Sequence, residues 1–255
     1  MKQYSFIMKI ALLVLSQLWV ENLSAKNSDE NKITTTSATI DFDFVSRYLW
    51  RCIISSDGPA WQPSASVSKW GLTPSLWASM PLSQESSRAH FNEVDLGLSY
   101  EHQIANLTFK PNFVYFFYPN TTDPSTGELS LEATYTFRTI TLGLSHSFDV
   151  SEYPGAYFAN FFIGYSRDIG ESFSFNGTLS TGWASSEWNN AYFGVGQTAL
   201  NHVALDLSLE CRLWAWLYVR PHMQFGVLTS PSLRGAVADP NPIVLGISLG
   251  GDFSP

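Results

Sequence analysis

The chain has 255 residues and a net charge of −8, with only 14% charged residues against 15% aromatic ones. Soluble domains carry about 25% charged residues, so the composition argues against an ordinary water-facing globule, and the acidic balance argues against a nucleic-acid surface, which is normally basic. Something other than water is expected to cover part of the folded chain.

Residues 1–25 read as an export signal. Lys2 and Lys9 give a positive start, residues 10–20 are apolar, and Leu23-Ser24-Ala25 offers a cleavage point after Ala25. The apolar run is about half the ~20 residues that a membrane-spanning helix requires, and no later stretch is long and apolar enough to be one. Residues 26–37 are polar and unpatterned, as in a flexible periplasmic tail. Residues 38–255 read as one domain.

The signal in that domain is a period of two. In residues 107–118, LTFKPNFVYFFY, Leu107, Phe109, Pro111, Phe113, Tyr115 and Phe117 fall on one face, with Thr108, Lys110, Asn112, Val114, Phe116 and Tyr118 on the other. A strand distributes its side chains in this way. Residues 128–138 and 202–212 repeat the pattern. Extended along the chain, it predicts about twelve strands, at 38–50, 60–70, 72–81, 90–103, 106–118, 127–137, 139–149, 156–168, 171–184, 202–212, 214–228 and 242–253.

The connections between them alternate in length. Those at Trp70-Gly71, 103–106, Arg138-Thr139, Ile169-Gly170 and Leu213-Trp214 are tight, and those around Asp57, Gln84, Asp123, Glu152, 185–201 and 230–241 are longer and turn-rich. Sorting of loops into two classes, with strands near the ~9–11 residues that cross a bilayer at a tilt, predicts an all-β, transmembrane, up-and-down antiparallel β-barrel with short periplasmic turns and long extracellular loops. Tyr48, Trp50, Trp70, Trp183, Trp188, Trp214 and Trp216 stand at strand ends, where two aromatic girdles are expected.

On this reading Phe42, Phe44, Tyr48 and Trp50 face lipid, while Asp41, Asp43, Arg47 and Arg51 point inward. Asp57-Gly58-Pro59 is the first extracellular loop, and Ser64, Ser66 and Ser68 continue the polar lining. The same segment, SRYLWRCIISSDGPAWQPSASVS, resembles the opening of the TorF-like porins, a family of exported outer-membrane barrels. The resemblance rests on Ser46, Tyr48 and Arg51, then Ser56, Asp57, Gly58, Pro59, Gln62, Ser64 and Ser66. Cys52 stands where that pattern has glycine. The later LSLECRLWAWLYVRPHMQFGVL resembles the family's late strand pair, and elsewhere the likeness is diffuse. It implies an outer-membrane location and a pore-like role, with no specific substrate.

Inward parity collects the acids Asp41, Asp43, Glu93, Asp95, Glu101, Glu128, Glu132, Asp206 and Glu210, and the bases Arg47, Arg51, Lys110, Arg138, Arg212 and Arg220. They either line a water-filled passage whose acidic excess weakly favours cations, or neutralise one another into a polar plug. Asp43, Asp95, Glu132, Asp206, Arg220 and His222 are expected nearest mid-height, and with Lys110, Arg47 and Arg51 they form the candidate constriction. Phe116, Tyr118, Phe158 and Phe162 lie toward the extracellular ends, as a stacking surface for a planar solute or as packing for folded-in loops.

The expected function is passive diffusion of small hydrophilic solutes. The alternatives are a closed barrel with a structural or scaffolding role, and a barrel lipid hydrolase. A hydrolase needs a serine and a histidine within hydrogen-bond reach at the outer upper rim. His146 has outward parity there, but its expected neighbours Leu129, Tyr157 and Ala159 include no serine or acid. There is no metal cluster or phosphate-cradling glycine loop, so no catalytic residue or cofactor is predicted. Cys52 and Cys211 are expected at opposite ends of the barrel, too far apart for a disulfide. The last strand carries an outward row of Ile243, Leu245, Ile247, Leu249 and Phe253. Expected partners are outer-membrane lipid, small solutes and, through that strand, the barrel-assembly machinery; nucleic acid is not expected.

Overall fold

The computed structural model describes residues 35–82 and 90–254. The export signal, and the tail as far as residue 34, lie outside the described residues. The strands in chain order are β1 (Ser37–Val45), β2 (Tyr48–Trp50), β3 (Ile53–Ser56), β4 (Ala60–Ser68), β5 (Leu72–Pro81), β6 (Glu93–Tyr100), β7 (His102–Ile104) and β8 (Leu107–Phe117). They continue with β9 (Thr126–Phe137), β10 (Ile140–Asp149), β11 (Tyr157–Ile169), β12 (Phe173–Ala184), β13 (Ala199–Arg212), β14 (Leu217–Leu228) and β15 (Ile243–Phe253). Two short helices, α1 (Ser186–Phe193) and α2 (Pro231–Ala236), sit in the last two long loops.

Without β2, β3 and β7, the other twelve strands form one antiparallel ring. Each pairs with its neighbour, β6 pairs with β8, and β1 pairs with β15 to close the circle. Closure matters in lipid, where each unpaired backbone N–H or C=O costs several kcal/mol and an open edge would leave a row of them. β7 only lengthens the hairpin between β6 and β8. Among the described residues no helix is long and apolar enough to cross a membrane; the strands do the crossing.

The period of two sets which side chains face out. Phe42 and Phe44, Leu96 and Leu98, Leu129 and Leu131, Leu142 and Leu144, Phe161 and Ile163, and Ile247 and Leu249 are all exposed. So large an apolar surface fits hydrocarbon, not water. Aromatic residues gather at the two ends of this belt. Trp183 crosses Tyr157 edge-on at 5.5 Å near the long loops, and Trp216 stacks on Phe253 at 5.6 Å near the short turns.

The fold departs from the expected wall at its first strand. β1 stops at Val45, and Tyr48 and Trp50 leave the lipid face altogether: β2 and β3 form a separate hairpin turned by Arg51 and Cys52. Both turn residues have positive φ, 47° and 63°, as both central residues of a type I′ turn must. Glycine suits that conformation best, and Cys52 is the position at which the resembling family carries it. Asp57-Gly58-Pro59 is therefore only the return limb of the first long loop. Trp188 is no girdle residue either; it lies on α1 and is buried. Glu101 and Arg138 are exposed in short turns and do not line the interior.

Both helices have local signals. Ser185 caps α1 by accepting from the Trp188 N–H, and Gly194 ends it in the left-handed region at φ 67°. Pro231 begins α2, where its missing N–H costs nothing. The buried apolar clusters all involve the long-loop end: Val45 with Tyr48, Cys52 with Leu228 and Leu233, and Phe158 with Trp188. The core of this protein is thus a plug of loops inside one end of the barrel.

Candidate functional site

The site is the lumen and the hairpin that crosses it. β2–β3 is rooted between β1 and β4, yet its tip touches the far side of the ring. Tyr48 donates to Glu93 of β6 at 3.3 Å and packs on Trp77 of β5. Trp50 meets Phe116 of β8 edge-on at 6.0 Å. Arg51 reaches β9, donating from both terminal nitrogens to the two carboxylate oxygens of Glu128 at 2.8 and 2.6 Å. Its guanidinium also lies 4.5 Å from the Trp50 ring and 4.3 Å from the Phe158 ring of β11. A planar, permanently charged fork suits this combination of bidentate pairing and stacking.

Cys52 enters a socket on the other flank. It packs with Ala204 of β13, Leu228 of β14 and Leu233 of α2. Its Sγ lies where a side chain at Gly226 would begin, 2.4 Å from an added Cβ, so glycine makes room for the tip. Burial pushes the thiol up to about 12, aided by the negative charge of Asp206. Cys211 is also a free thiol, as expected from their separation.

Two cavities flank the hairpin. The mouth cavity, of about 280 Å³, is lined by Tyr48, Trp50 and Ile53 together with loop residues such as Tyr118, Asp123, Tyr153 and Tyr192. The inner cavity, of about 230 Å³, is lined by Arg51, Cys52 and mid-strand residues including Asn160, His202 and Gln224. Asn92 Oδ1 at the mouth and Asn160 Oδ1 inside are buried acceptors that find no donor among the described residues. Burial raises the phenols of Tyr118 and Tyr192 above their ordinary range, and Glu93 raises Tyr118 further.

Beyond the tip, the lining is polar. Asp41 accepts from Arg220 at 2.9 Å and from the Tyr218 hydroxyl. Asp43 accepts from Ser248 at 3.0 Å and pairs with His222 Nε2 at 2.8 Å. Asp206 faces Gln224 in register, Lys110 faces Glu132, and Asp95 lies between Trp77 and Phe116 with a buried, unpartnered Oδ1. The structure brings Asp43 to His222 and gives Arg220 to Asp41. Arg47 stands apart, bridging Asp57 and Asp239 at 3.0 and 2.9 Å among the long loops, so it is not a wall residue. Arg51 is inside, but on the hairpin and not on β1.

Of the four inward rings, Phe116 is covered by Trp50, and Phe158 by Trp188 at 4.8 Å and by Arg51. Tyr118 lines the mouth cavity. Phe162 lies against Gly143, where a Cβ would strike its ring. The parity pattern did not reveal the helical residues Trp188 and Tyr192, although the Ser185 and Gly194 caps are visible in the sequence. On the outer face, His146 Nδ1 is hydrogen-bonded to the Tyr157 hydroxyl, with Leu131 and Ala159 beside it in register.

No protein-family model and no curated protein matches the sequence. Solved structures do match. The porin NanC superposes with a TM-score of 0.52 over 84% of this chain and 98% of its own, at 13% identity. The KdgM porin, in complex with disordered oligogalacturonate, gives 0.51 over 85% and 99%, at 11% identity. The chain has a porin-type barrel fold. At these identities the likeness carries the architecture alone, so the lumen chemistry is read from this chain's own residues.

Proposed function

We propose that the protein is an outer-membrane channel for passive diffusion of small hydrophilic solutes, exported by its N-terminal signal and narrowed by the β2–β3 hairpin. The observation that carries this reading is the contrast between the two faces of one closed wall. Leu129 and Leu131 face out while Ser130 and Glu132, one residue away, face in. A polar lining of this kind supports a water-filled passage, and the same charges fully paired with one another would make a plug instead.

Asp41, Asp43 and Glu132 bring acidic groups into the lumen, and Lys110 and Arg220 offset them only in part. A weak preference for cations follows. The oligogalacturonate of the KdgM complex is a polyanion, and this lining is the wrong sign for one. The opening-segment resemblance to the TorF-like porins agrees with an outer-membrane location. Lipid around the belt and assembly machinery reading β15 are the partners this reading requires.

A second reading, a closed barrel with a scaffolding role, is favoured by the anchoring of the hairpin tip through Arg51 and Cys52. Single-channel recording of the refolded protein in a planar bilayer separates the two. Discrete steps whose reversal potential moves toward anions in Glu132→Gln and toward cations in Arg220→Gln support the channel. A folded, heat-modifiable barrel that never conducts overturns it in favour of the scaffold. Lipid hydrolysis has less support, since His146 is engaged by a tyrosine; esterase activity that His146→Ala abolishes would reinstate it.

A further inference from the structure

The mouth cavity has a composition unlike the rest of the lumen. Its lining holds five aromatic residues, Tyr48, Trp50, Tyr118, Tyr153 and Tyr192, and two carboxylates, Glu93 and Asp123. No lysine, arginine or histidine lines it among the described residues. Trp50 and Tyr192 are 5.1 Å apart, and Tyr192 and Tyr153 are 5.6 Å apart, so three rings make one continuous wall. Glu93 is 7% exposed, and the hydroxyls of Tyr48 and Tyr118 hydrogen-bond to it. Asn92 Oδ1 adds a buried acceptor with no donor.

A buried carboxyl group is stabilised either by taking a proton or by pairing with a cation, and an acceptor with no donor among the described residues favours a guest that brings N–H groups. Ring faces attract cations, and the attraction grows as water is excluded. All three features ask for the same guest: a positive charge that carries N–H donors. A neutral sugar would use the rings but leave the carboxylates uncompensated, and an anion would be repelled.

We propose that this cavity binds a small organic cation, a primary ammonium or guanidinium group borne on a hydrophilic or aromatic solute, caged by Tyr192 and Tyr153 beside the Trp50 ring that Arg51 already stacks on, and neutralised by Glu93 and Asp123. This deepens the channel reading by giving the solute a charge class, and it rests on that reading for its role in uptake. Asp95, two residues below Glu93 on the inward face of β6, is the next carboxyl group on the same wall.

The test is equilibrium binding to the full barrel in detergent, by calorimetry, with benzylamine and benzyl alcohol as a pair that differs in the cation. Benzylamine is expected to bind about tenfold or more tightly than the alcohol. The preference should fall in Glu93→Gln, in Asp123→Asn on its exposed loop, and in Tyr192→Leu, each first shown to be heat-modifiable on a gel. Equal affinity for the two probes, a preference that survives Glu93→Gln with Asp123→Asn, or tighter binding of glucose than of benzylamine overturns the assignment. Conductance is recorded in parallel on the same preparation. Binding without conductance leaves the cation site standing and removes the channel, whereas conductance without selective binding removes only the site.

Discussion

Arg51 is the residue on which the interior arrangement turns. Its side chain and that of Glu128 are 17% and 12% exposed, which takes the pair out of the regime where surface ion pairs contribute almost nothing. Arg51→Lys keeps the charge but loses the fork and the stacking on Trp50 and Phe158. A loss of about 1–2 kcal/mol is expected, read as a lower urea midpoint for the detergent-solubilised barrel; an unchanged midpoint would show that the tip is not anchored there. Its neighbour Cys52 gives a pH test. Because the folded-state thiol is pushed up to about 12, folding favours the neutral form. That contribution is complete below the ordinary thiol range of about 8.5 and is lost as pH rises from there toward 12. Wild type should therefore lose stability faster than Cys52→Ala between those values. At neutral pH a maleimide should label Cys211 in the folded barrel well before Cys52.

At the scale of elements, the hairpin is an insertion into a finished wall. Val45 and Ala60 are register partners on β1 and β4, so a short link can join them once the hairpin is gone. Replacing residues 47–57 with two glycines should leave a folded, heat-modifiable barrel with a several-fold larger single-channel conductance. If conductance stays the same, the hairpin is not the constriction. The sequence made the wall readable and hid the hairpin, for a physical reason. In β8 and β9, alternation is enforced by two solvents, lipid and water, and this leaves a regular mark. Residues 46–52 alternate too, but their two faces are both interior: Tyr48 and Trp50 pack on the wall, and Arg51 finds a carboxylate. Periodicity alone cannot separate those cases. The only sign of the turn was Cys52 standing where the resembled pattern has glycine, since Arg51 and Cys52 hold left-handed conformations that usually call for Gly, Asn or Asp. Trp188 was hidden differently, because a helix of one or two turns inside a long loop is too short for a 3.6-residue period to register, and only its caps show it.

For the whole molecule, the decisive fact is that one sheet separates two media. Ser130 and Leu131 are adjacent on β9, at the same depth and on the same backbone, and they differ only in the face they present. An arginine at position 131 must enter hydrocarbon, at a cost of about 2–4 kcal/mol near mid-membrane. An arginine at position 130 enters the lumen between Glu128 and Glu132, which point the same way, and its cost should stay within about 0.5 kcal/mol. Unfolding of Leu131→Arg and Ser130→Arg from lipid vesicles by urea measures that difference directly. In detergent micelles, which deform around a charge, the gap should shrink. Equal costs in vesicles would mean that β9 does not separate lipid from water, and the membrane assignment of the barrel would fall with it. A large penalty at 131 alone fixes the inside and outside of the wall. The inward wall residues of the neighbouring strands, Lys110 and Asn112 on β8 and Ser145 and Ser147 on β10, then lie in the lumen by the same alternation, carried through the registered pairs that join them to β9.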